Sequence, residues 1–314
     1  MFYDNYITYS KKERFSVKDG TIQYEDLNVS KLNYVAKDKD KLSSWNRDFA
    51  QSKDGRVIYE MNVNCEKEMV DADVFLSQVY ANLGFVTPIY CPVSKDGKVY
   101  ACCSGVKNFV NAKEFNKDIN ISGSRLEKEH LFLSGNINKS VAKHHSKETY
   151  ADTLLMRFMD VACGITSRPC DDMGYISGGL LSKSKTVVPT TYCISGYNYL
   201  NKDNREKVIE DYFSEFSINR QTKEHLIESY MNSKDARSVL PRIDVYHFVE
   251  EIDNLNYHQI AKEIKDNIHY EVDANYINYL EEQKQEFCKL IDEKCKLGYF
   301  DKKSHRQSDK EQEF

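Results

Sequence analysis

Residues 154–175 carry the pattern that most narrows what this chain can fold into. The apolar run 154–162 is followed by Gly164, by a short polar loop and by an aromatic stretch that includes Tyr175. Glycine readily adopts the left-handed conformation that ends many helices, so the run predicts a helix that stops near Gly164. The loop that follows is the first place to look for functional side chains, because binding and catalytic residues concentrate on loops held by a rigid scaffold.

The composition limits the class of protein. The chain has 314 residues, which is enough for one large domain or two lobes with a substantial core. Its 44 Lys and Arg against 49 Asp and Glu give a net charge of −5, whereas nucleic-acid binders usually carry a basic excess. No window reaches the roughly 18 apolar residues of a membrane span, and the N-terminus lacks the basic and apolar parts of a signal peptide. We therefore expect a cytoplasmic protein with no nucleic-acid partner and no membrane span, and export as an effector without a cleaved signal stays open.

The cysteines give no sign of a metal site or of a disulfide framework. There are nine of them, an odd number, scattered from Cys65 to Cys295 without a C-x-x-C pair. The adjacent cysteines at 102–103 and the adjacent histidines at 144–145 lack the ligand spacing of a zinc site. The sequence therefore predicts reduced, mostly buried thiols.

The N-terminal third alternates short strands with one helix. An Asp-Gly turn precedes a predicted strand at 56–63, and apolar residues at helical spacing predict a helix at 71–83 that ends at Gly84. A strand is predicted at 85–93, where two prolines suggest a sheet edge or a kink. A second Asp-Gly turn then leads into a strand at 98–103. The predicted order is strand, helix, strand, hairpin, strand.

From about residue 112 the pattern becomes helical. A helix at 150–161 is followed by apolar stripes at steps of three and four residues. These stripes predict helices at 203–216, 223–231, 244–254, 257–266 and 275–296. The sequence therefore predicts an α+β architecture, with a small strand-rich lobe, one helix and a polar N-terminal extension in residues 1–110, and a larger helical lobe in residues 111–300. The charged tail 301–314 is predicted to be disordered.

Several segments, taken in chain order, share motifs with one family. They are 54–64, 71–84 with its final Leu-Gly, Val106-Lys107-Asn108-Phe109, 158–175, 187–196, and Pro241-Arg242-Ile243-Asp244. In that order they resemble the nucleotide-lysine strand, the helix with its acidic partner, the hinge, the catalytic helix and loop, the metal-binding strand and turn, and a late motif of the HipA-like serine/threonine kinases. The resemblance is greatest to the short CtkA-type members. It implies a two-lobed, protein-kinase-like fold.

The resemblance also indicates which residues stand at the catalytic positions of these kinases. Phosphoryl transfer needs a lysine on the phosphates, a base near the acceptor hydroxyl and metal ligands. The lysine position holds Asn62, and the acidic position of the helix holds Asp73. The catalytic aspartate position holds Ser167, which cannot act as a carboxylate base, and Arg168 is the retained arginine of the loop. We therefore expect no catalytic residue at these degenerate positions.

The two metal-ligand positions of the family differ in whether their residues here could bind Mg²⁺. Asp172 stands at the metal-binding asparagine position with Asp171 beside it, and carboxylate oxygens suit Mg²⁺. The alternative for these two residues is a polar turn, because aspartate favours turns. The metal-binding aspartate position holds Tyr192 or Cys193, depending on a one-residue slip, and neither is a good Mg²⁺ ligand.

The hinge resemblance assigns nucleotide contacts to Lys107, Asn108 and Phe109. Two outcomes stay open for the cofactor: ATP with Mg²⁺, or none. An active site with a relocated lysine would need Lys67 or Lys107 to reach the phosphates.

Other side chains near the loop also have two interpretations. Arg168 either pairs with an acid such as Asp160 or is exposed to solvent. The glycine-rich stretch 177–179 is predicted to be a hairpin turn, because it lacks the P-loop pattern. Cys170 and Cys193 could be nucleophiles, but their spacing from histidine matches no known signature, so buried thiols are favoured.

Three hypotheses follow, and whether the chain is an enzyme stays open among them. The first is a catalytically impaired pseudokinase that acts by binding or regulating another protein, because the lysine, the base and the metal aspartate are lost together. The second is a divergent ATP-dependent phosphoryl or nucleotidyl transferase that uses Asp73, Asp171 and Asp172. The third is an unrelated α+β protein. The sequence does not indicate the oligomeric state.

Overall fold

The structure is a computed structural model that describes part of the 314-residue chain. The described residues are 17–18, 21–23, 29–30, 47–52, 58–62, 66–95, 97–104, 109–111, 147–165, 168, 173–177, 185–200, 202, 227 and 244–296. They form a mixed arrangement of helices and two sheets.

Seven strands form the larger sheet. They are Val17–Lys18 (β1), Thr21–Gln23 (β2), Val29–Ser30 (β3), Arg47–Ser52 (β4), Ile58–Asn62 (β5), Cys91–Lys95 (β6) and Lys98–Ser104 (β7). The strand order is β1-β2-β6-β7-β5-β4-β3. Neighbours are antiparallel except for β2 and β6, which run parallel. The strands around β5 and β7 confirm the predicted strand, helix, strand, hairpin order, and β1 to β4 extend the sheet on both sides.

The hairpin between β6 and β7 forms where the Asp-Gly turn predicted it. Lys95 pairs with Lys98 across the turn, and Gly97 has a φ of 73°, which favours glycine. The prediction that a strand begins at residue 85 is wrong, because β6 begins only at Cys91. The physical reason is local: the backbone N–H of Phe85 donates to the helix that precedes it, and the N–H of Tyr90 donates to the hydroxyl of Ser77 rather than to a neighbouring strand.

Helix α1, Lys67–Asn82, connects β5 to β6. It ends as predicted, because Gly84 has a φ of 82° directly after the last turn. It begins four residues earlier than the predicted start at 71, because Lys67 pairs with Asp71 one turn later at 2.8 Å. Eleven of its residues are buried, so the helix lies inside the molecule with neighbours on most of its faces.

A smaller, antiparallel sheet contains Phe109–Asn111 (β8), Met173–Ser177 (β9) and Lys185–Pro189 (β10) in the order β10-β9-β8. Strands β9 and β10 pair antiparallel, with Lys185 opposite Ser177, and the rest of the turn predicted at 177–179 lies outside the described residues. Helix α2, Lys147–Ala162, precedes this sheet. The predicted helix end is confirmed, since the helix stops at Ala162 and Gly164 has a φ of 69°.

Four further helices complete the described structure: Cys193–Leu200 (α3), Val245–Asn254 (α4), Tyr257–Ile268 (α5) and Ala274–Lys296 (α6). The side chains of Asp244 and Asn256 cap α4 and α5 by accepting backbone N–H bonds, as is typical of helix starts. The helices predicted at 244–254, 257–266 and 275–296 are thereby confirmed. Those predicted at 203–216 and 223–231, apart from Ile227, and the tail 301–314 lie outside the described residues.

Buried apolar side chains from α1 to α6 and from both sheets form one continuous core. Within the described ranges, no helix is long and apolar enough to cross a membrane. The core places α1 against the start of α3, which follows β10 directly. This contact brings the segment after β10 to the face of α1.

The contact between α1 and α3 depends on Gly196. A methyl group built on Gly196 would lie 2.1 Å from the backbone oxygen of Glu68 and 2.8 Å from the Cα of Met69. Both obstacles are backbone atoms of α1, which cannot rotate away. The two helices can therefore approach this closely only because residue 196 has no side chain.

We expect Gly196→Ala to lower the free energy of unfolding by roughly 3 kcal/mol, because the helices must separate to admit the methyl group. Gly84→Ala is the matched control: nothing lies within 4 Å of its added methyl group, so only the left-handed φ opposes it, at about 1 kcal/mol. Urea denaturation of both variants measures the difference. Equal losses would show that the helix contact is not tight.

Candidate functional site

The candidate site lies where α1, the end of α2 and the segment after β10 meet. We call residues 190–193 the junction segment; it connects β10 to α3 and includes the position at which the resemblance puts the metal-binding aspartate. All four of its residues are buried, with at most 4% of their surface exposed. These four side chains therefore lie in the protein interior and not at a surface in contact with solvent.

Asp73 holds the backbone of the junction segment. One of its carboxylate oxygens accepts a hydrogen bond from the backbone N–H of Tyr192 at 2.6 Å and another from the hydroxyl of Thr191 at 3.1 Å. The carboxylate is fully buried on α1. Two hydrogen bonds to one buried carboxylate oxygen fix the segment to the helix, because a buried polar group left without its partner is costly. The acidic residue that the resemblance pairs with a lysine thus also bonds to the segment after β10.

Tyr192 places an aromatic ring where the resemblance predicts a metal-binding aspartate. The ring lies 4.8 Å from that of Tyr80 and 5.2 Å from the Arg168 guanidinium, centre to centre. Its hydroxyl forms a short hydrogen bond with that of Thr87, which also donates to the Pro189 carbonyl at 3.3 Å. Burial raises the pKa of the Tyr192 phenol above its ordinary value, so the phenol stays neutral. A neutral phenol packed in this way is a poor ligand for a hard cation.

Cys193 is the alternative residue at the predicted metal-aspartate position, if the alignment with the family shifts by one residue. It is packed in the same way as Tyr192. It is the first residue of α3 and is fully buried. Its sulfur accepts a hydrogen bond from the Thr191 hydroxyl at 3.4 Å. The one-residue ambiguity in the sequence therefore has no consequence here, because both candidate positions are packed into the core.

Below the junction segment lies a buried ion pair. The guanidinium of Arg168 donates to both carboxylate oxygens of Asp160, from Nη2 at 2.6 Å and from Nε at 3.0 and 3.1 Å. Both side chains are at most 2% exposed. The interpretation that Arg168 pairs with Asp160, rather than facing solvent, is confirmed. Arg168 also donates to the carbonyl oxygen of Thr191 at 2.6 Å, so the pair is connected directly to the junction segment.

Further donors satisfy the Asp160 carboxylate. The hydroxyl of Tyr80 on α1 donates to it at 2.5 Å, and Arg157, one turn earlier on α2, donates at 3.3 Å. Burial lowers the pKa of the Arg168 guanidinium, but the Asp160 charge more than offsets this and raises it above its ordinary value. The Arg168 guanidinium therefore remains charged. A buried charge is tolerated only when it is paired and hydrogen-bonded, as it is here.

A second acidic residue fixes the other side of α1. The fully buried Asp71 accepts hydrogen bonds from the Tyr270 hydroxyl at 2.5 Å and from the backbone N–H of Asp273 at 3.0 Å. Burial raises the pKa of Asp71, although Lys67 at 2.8 Å opposes the shift. The sequence alone does not indicate this contact. The available signal was two acidic residues, Asp71 and Asp73, inside the otherwise apolar stretch 69–76 of the helix.

Several predicted site residues cannot be placed. Ser167, Lys107, Asn108, Asp171 and Asp172 lie outside the described residues. Their assignments stay predictions.

Two others are placed by backbone alone. Asn62 is the last residue of β5 and pairs with Arg47, and Phe109 begins β8 and pairs with Ile176. Among the residues that the structure describes, no group of three or more His, Cys, Asp or Glu side chains could hold a metal ion.

Comparisons with known proteins find similarity to this chain among solved structures. No family model matches the chain, and no curated protein matches it. Among solved structures, the chain is similar to the crystal structure of a Helicobacter pylori proinflammatory kinase CtkA, with 13% sequence identity over 85% of this chain and 99% of that chain. The TM-score is 0.43. At this TM-score the likeness does not establish a shared fold.

We expect the Asp160–Arg168 pair to show strong coupling in a double-mutant cycle. Asp160→Leu and Arg168→Met should each lower the free energy of unfolding by about 3–5 kcal/mol, because the first leaves Arg168 buried without its carboxylate and the second leaves Asp160 with only the longer ionic contact to Arg157 at 3.3 Å. The double variant should lose at least about 2 kcal/mol less than the sum of the single losses. Urea denaturation measures all three.

The control is the exposed pair of Lys265 and Glu271, whose charged atoms lie 2.9 Å apart. Solvent screens such pairs, so Lys265→Met should leave stability almost unchanged. Additive losses at residues 160 and 168 would contradict the account of a coupled buried pair.

Proposed function

We propose that this protein is a catalytically impaired, HipA/CtkA-like pseudokinase that acts by binding or regulating another protein. The proposed architecture has a strand-rich lobe in residues 1–110, a helical lobe in residues 111–300 and a charged tail in residues 301–314. The observation that carries the proposal is the junction segment, where Tyr192 and Cys193 are buried in the core at the position of the metal-binding aspartate.

The hydrogen bonds of Asp73 support the same proposal. In an active relative the acidic residue of this helix would orient the lysine that holds the phosphates. In this chain the lysine position holds Asn62, and Asp73 accepts bonds from the backbone N–H of Tyr192 and from the hydroxyl of Thr191. The helix is thus held in place by contacts that need no lysine and no nucleotide.

The rate enhancement that the missing lysine, base and metal ligand would supply is large, so their absence supports impaired phosphoryl transfer. Removing one charged group that stabilises the transferring phosphoryl slows such reactions by roughly a thousandfold or more. Asn62, Ser167 and the junction segment together replace the lysine, the base and one metal ligand. Losing all three leaves little ordinary kinase activity. A role in binding requires only that the framework stay folded, and the buried charge network contributes to that.

The alternative is a divergent ATP-dependent transferase with a relocated metal site. One observation favours testing it. Asp171 and Asp172 directly precede Met173, and Met173 pairs with Pro189, the residue before the junction segment. Two carboxylates are therefore adjacent in sequence to the strand end that leads into the candidate site, and carboxylates are suitable Mg²⁺ ligands.

We expect calorimetric titration of ATP into the full chain to show no Mg²⁺-dependent binding. The reason is that the metal-aspartate position is occupied by a packed, neutral side chain. Titrations with and without Mg²⁺ should give the same heat, either none or that of metal-independent binding.

The matched variants are Asp172→Ala, at the predicted metal-ligand position, and Asp266→Ala, an exposed carboxylate on α5. Neither should change the titration. Binding that requires Mg²⁺, is lost in Asp172→Ala but not in Asp266→Ala, and yields a phosphorylated or nucleotidylated product would overturn the pseudokinase proposal and establish the alternative.

A further inference from the structure

A groove of about 450 Å³ runs between α4 and α6, away from the candidate site. We call it the α4–α6 groove. Its floor is apolar: Val249 of α4 faces Cys288, Ile291 and Cys295 of α6. Val249 and Cys288 are only partly buried, so the groove leaves apolar surface accessible. Among the residues that the structure describes, most other large apolar side chains are buried.

The wall formed by α4 is acidic. Glu250 and Asp253 line the groove, and the ten residues of α4 include three carboxylates and neither lysine nor arginine. Within the described part of the chain, the carboxylates of Glu250 and Asp253 have no ionic partner. Both residues are exposed, so their negative charge is available at the rim.

The wall formed by α6 is mixed in charge. It contributes Lys289 and Asp292, and Asp292 already pairs with Lys296 at 2.5 Å. The groove therefore has one acidic side and one nearly neutral side. A bound segment would gain most from cations placed along the α4 side.

The length of the groove suits a short helix. The lining residues of α6 run from Gln285 to Cys295, which is ten residue steps, or about 15 Å at the rise of an α-helix. A partner helix of about three turns has the same length. Grooves of this kind bind amphipathic helices through apolar residues at steps of three and four.

We propose that the α4–α6 groove binds a short amphipathic helix of a partner protein, with an apolar stripe on the floor and lysines or arginines against the α4 wall. The groove would be the surface through which the proposed pseudokinase binds another protein, and a basic amphipathic helix would be the part of that protein it binds. The biological role of this binding rests on the proposed function. The binding itself requires neither nucleotide nor metal.

Two other occupants are outcomes of the test. The chain's own tail carries Lys302, Lys303 and Arg306, so it has suitable charges. A second copy of the chain would have to bring one of its own basic segments to the groove against the repulsion between two chains of net charge −5. The charge pattern favours a partner that is more basic than this chain.

The probe is a fluorescein-labelled 14-residue peptide with leucines at helical steps of three and four and lysines on one flank. Its matched control has glutamates in place of the lysines. We expect fluorescence anisotropy to show saturable binding of the lysine peptide to the full chain, at least tenfold tighter than that of the glutamate peptide. The affinity should fall as salt rises from 50 to 500 mM, because exposed charges are screened.

Two double variants with the same change in net charge test the location. Glu250→Lys with Asp253→Lys should weaken binding of the lysine peptide at least tenfold. Glu263→Lys with Asp266→Lys, on the exposed face of α5, should leave it unchanged. Thermal unfolding confirms that both remain folded.

The proposal would be overturned if the α4 and α5 double variants weakened binding equally. It would also be overturned if the lysine peptide did not bind at 100 µM. A tenfold gain in peptide affinity on Lys302→Glu with Lys303→Glu would overturn it in favour of the chain's own tail. Dimers that disappear in the α4 double variant would overturn it in favour of a second copy. None of these results depends on ATP, so failure of the groove and failure of the pseudokinase proposal are distinguishable.

Discussion

The buried pair of Asp160 and Arg168 is the interaction on which the described structure most depends. Two opposite charges with almost no exposure can persist only if every strong donor and acceptor around them is satisfied. The Asp160 carboxylate accepts from Tyr80 on α1, and the Arg168 guanidinium donates to Thr191 in the junction segment. The requirement to satisfy one ion pair therefore sets the positions of three separate parts of the chain.

The position of α1 follows from the same physics applied to its acidic residues. Asp73 anchors the helix to the junction segment, and Asp71 anchors its other side to Tyr270 and Asp273. Gly196 lets α3 approach the first turn of the helix closely. A helix held on several sides does not need a nucleotide or a lysine to fix it.

The sequence predicted those features that depend on neighbouring residues. Gly164 ends α2, Gly84 follows α1 and Gly97 turns the hairpin, because glycine acts through its own backbone conformation. The pairing of Asp160 with Arg168 could also be predicted from the sequence, because the two residues are only eight positions apart. The sequence could not show that Asp71 bonds to Tyr270 or that Tyr192 is buried, because those contacts join residues about 100 to 200 positions apart.

The most direct test of the central claim is the hydrogen-exchange rate of the Tyr192 amide, which donates to the Asp73 carboxylate at 2.6 Å. If the junction segment is part of the permanent core, this amide exchanges as slowly as the amides of β10, with or without Mg²⁺ and ATP. In Asp73→Ala it should exchange at least tenfold faster than those amides. Rapid exchange in the unaltered protein that slows only when Mg²⁺ and ATP are added would contradict the account, because it would make the segment a ligand-ordered part of a working nucleotide site.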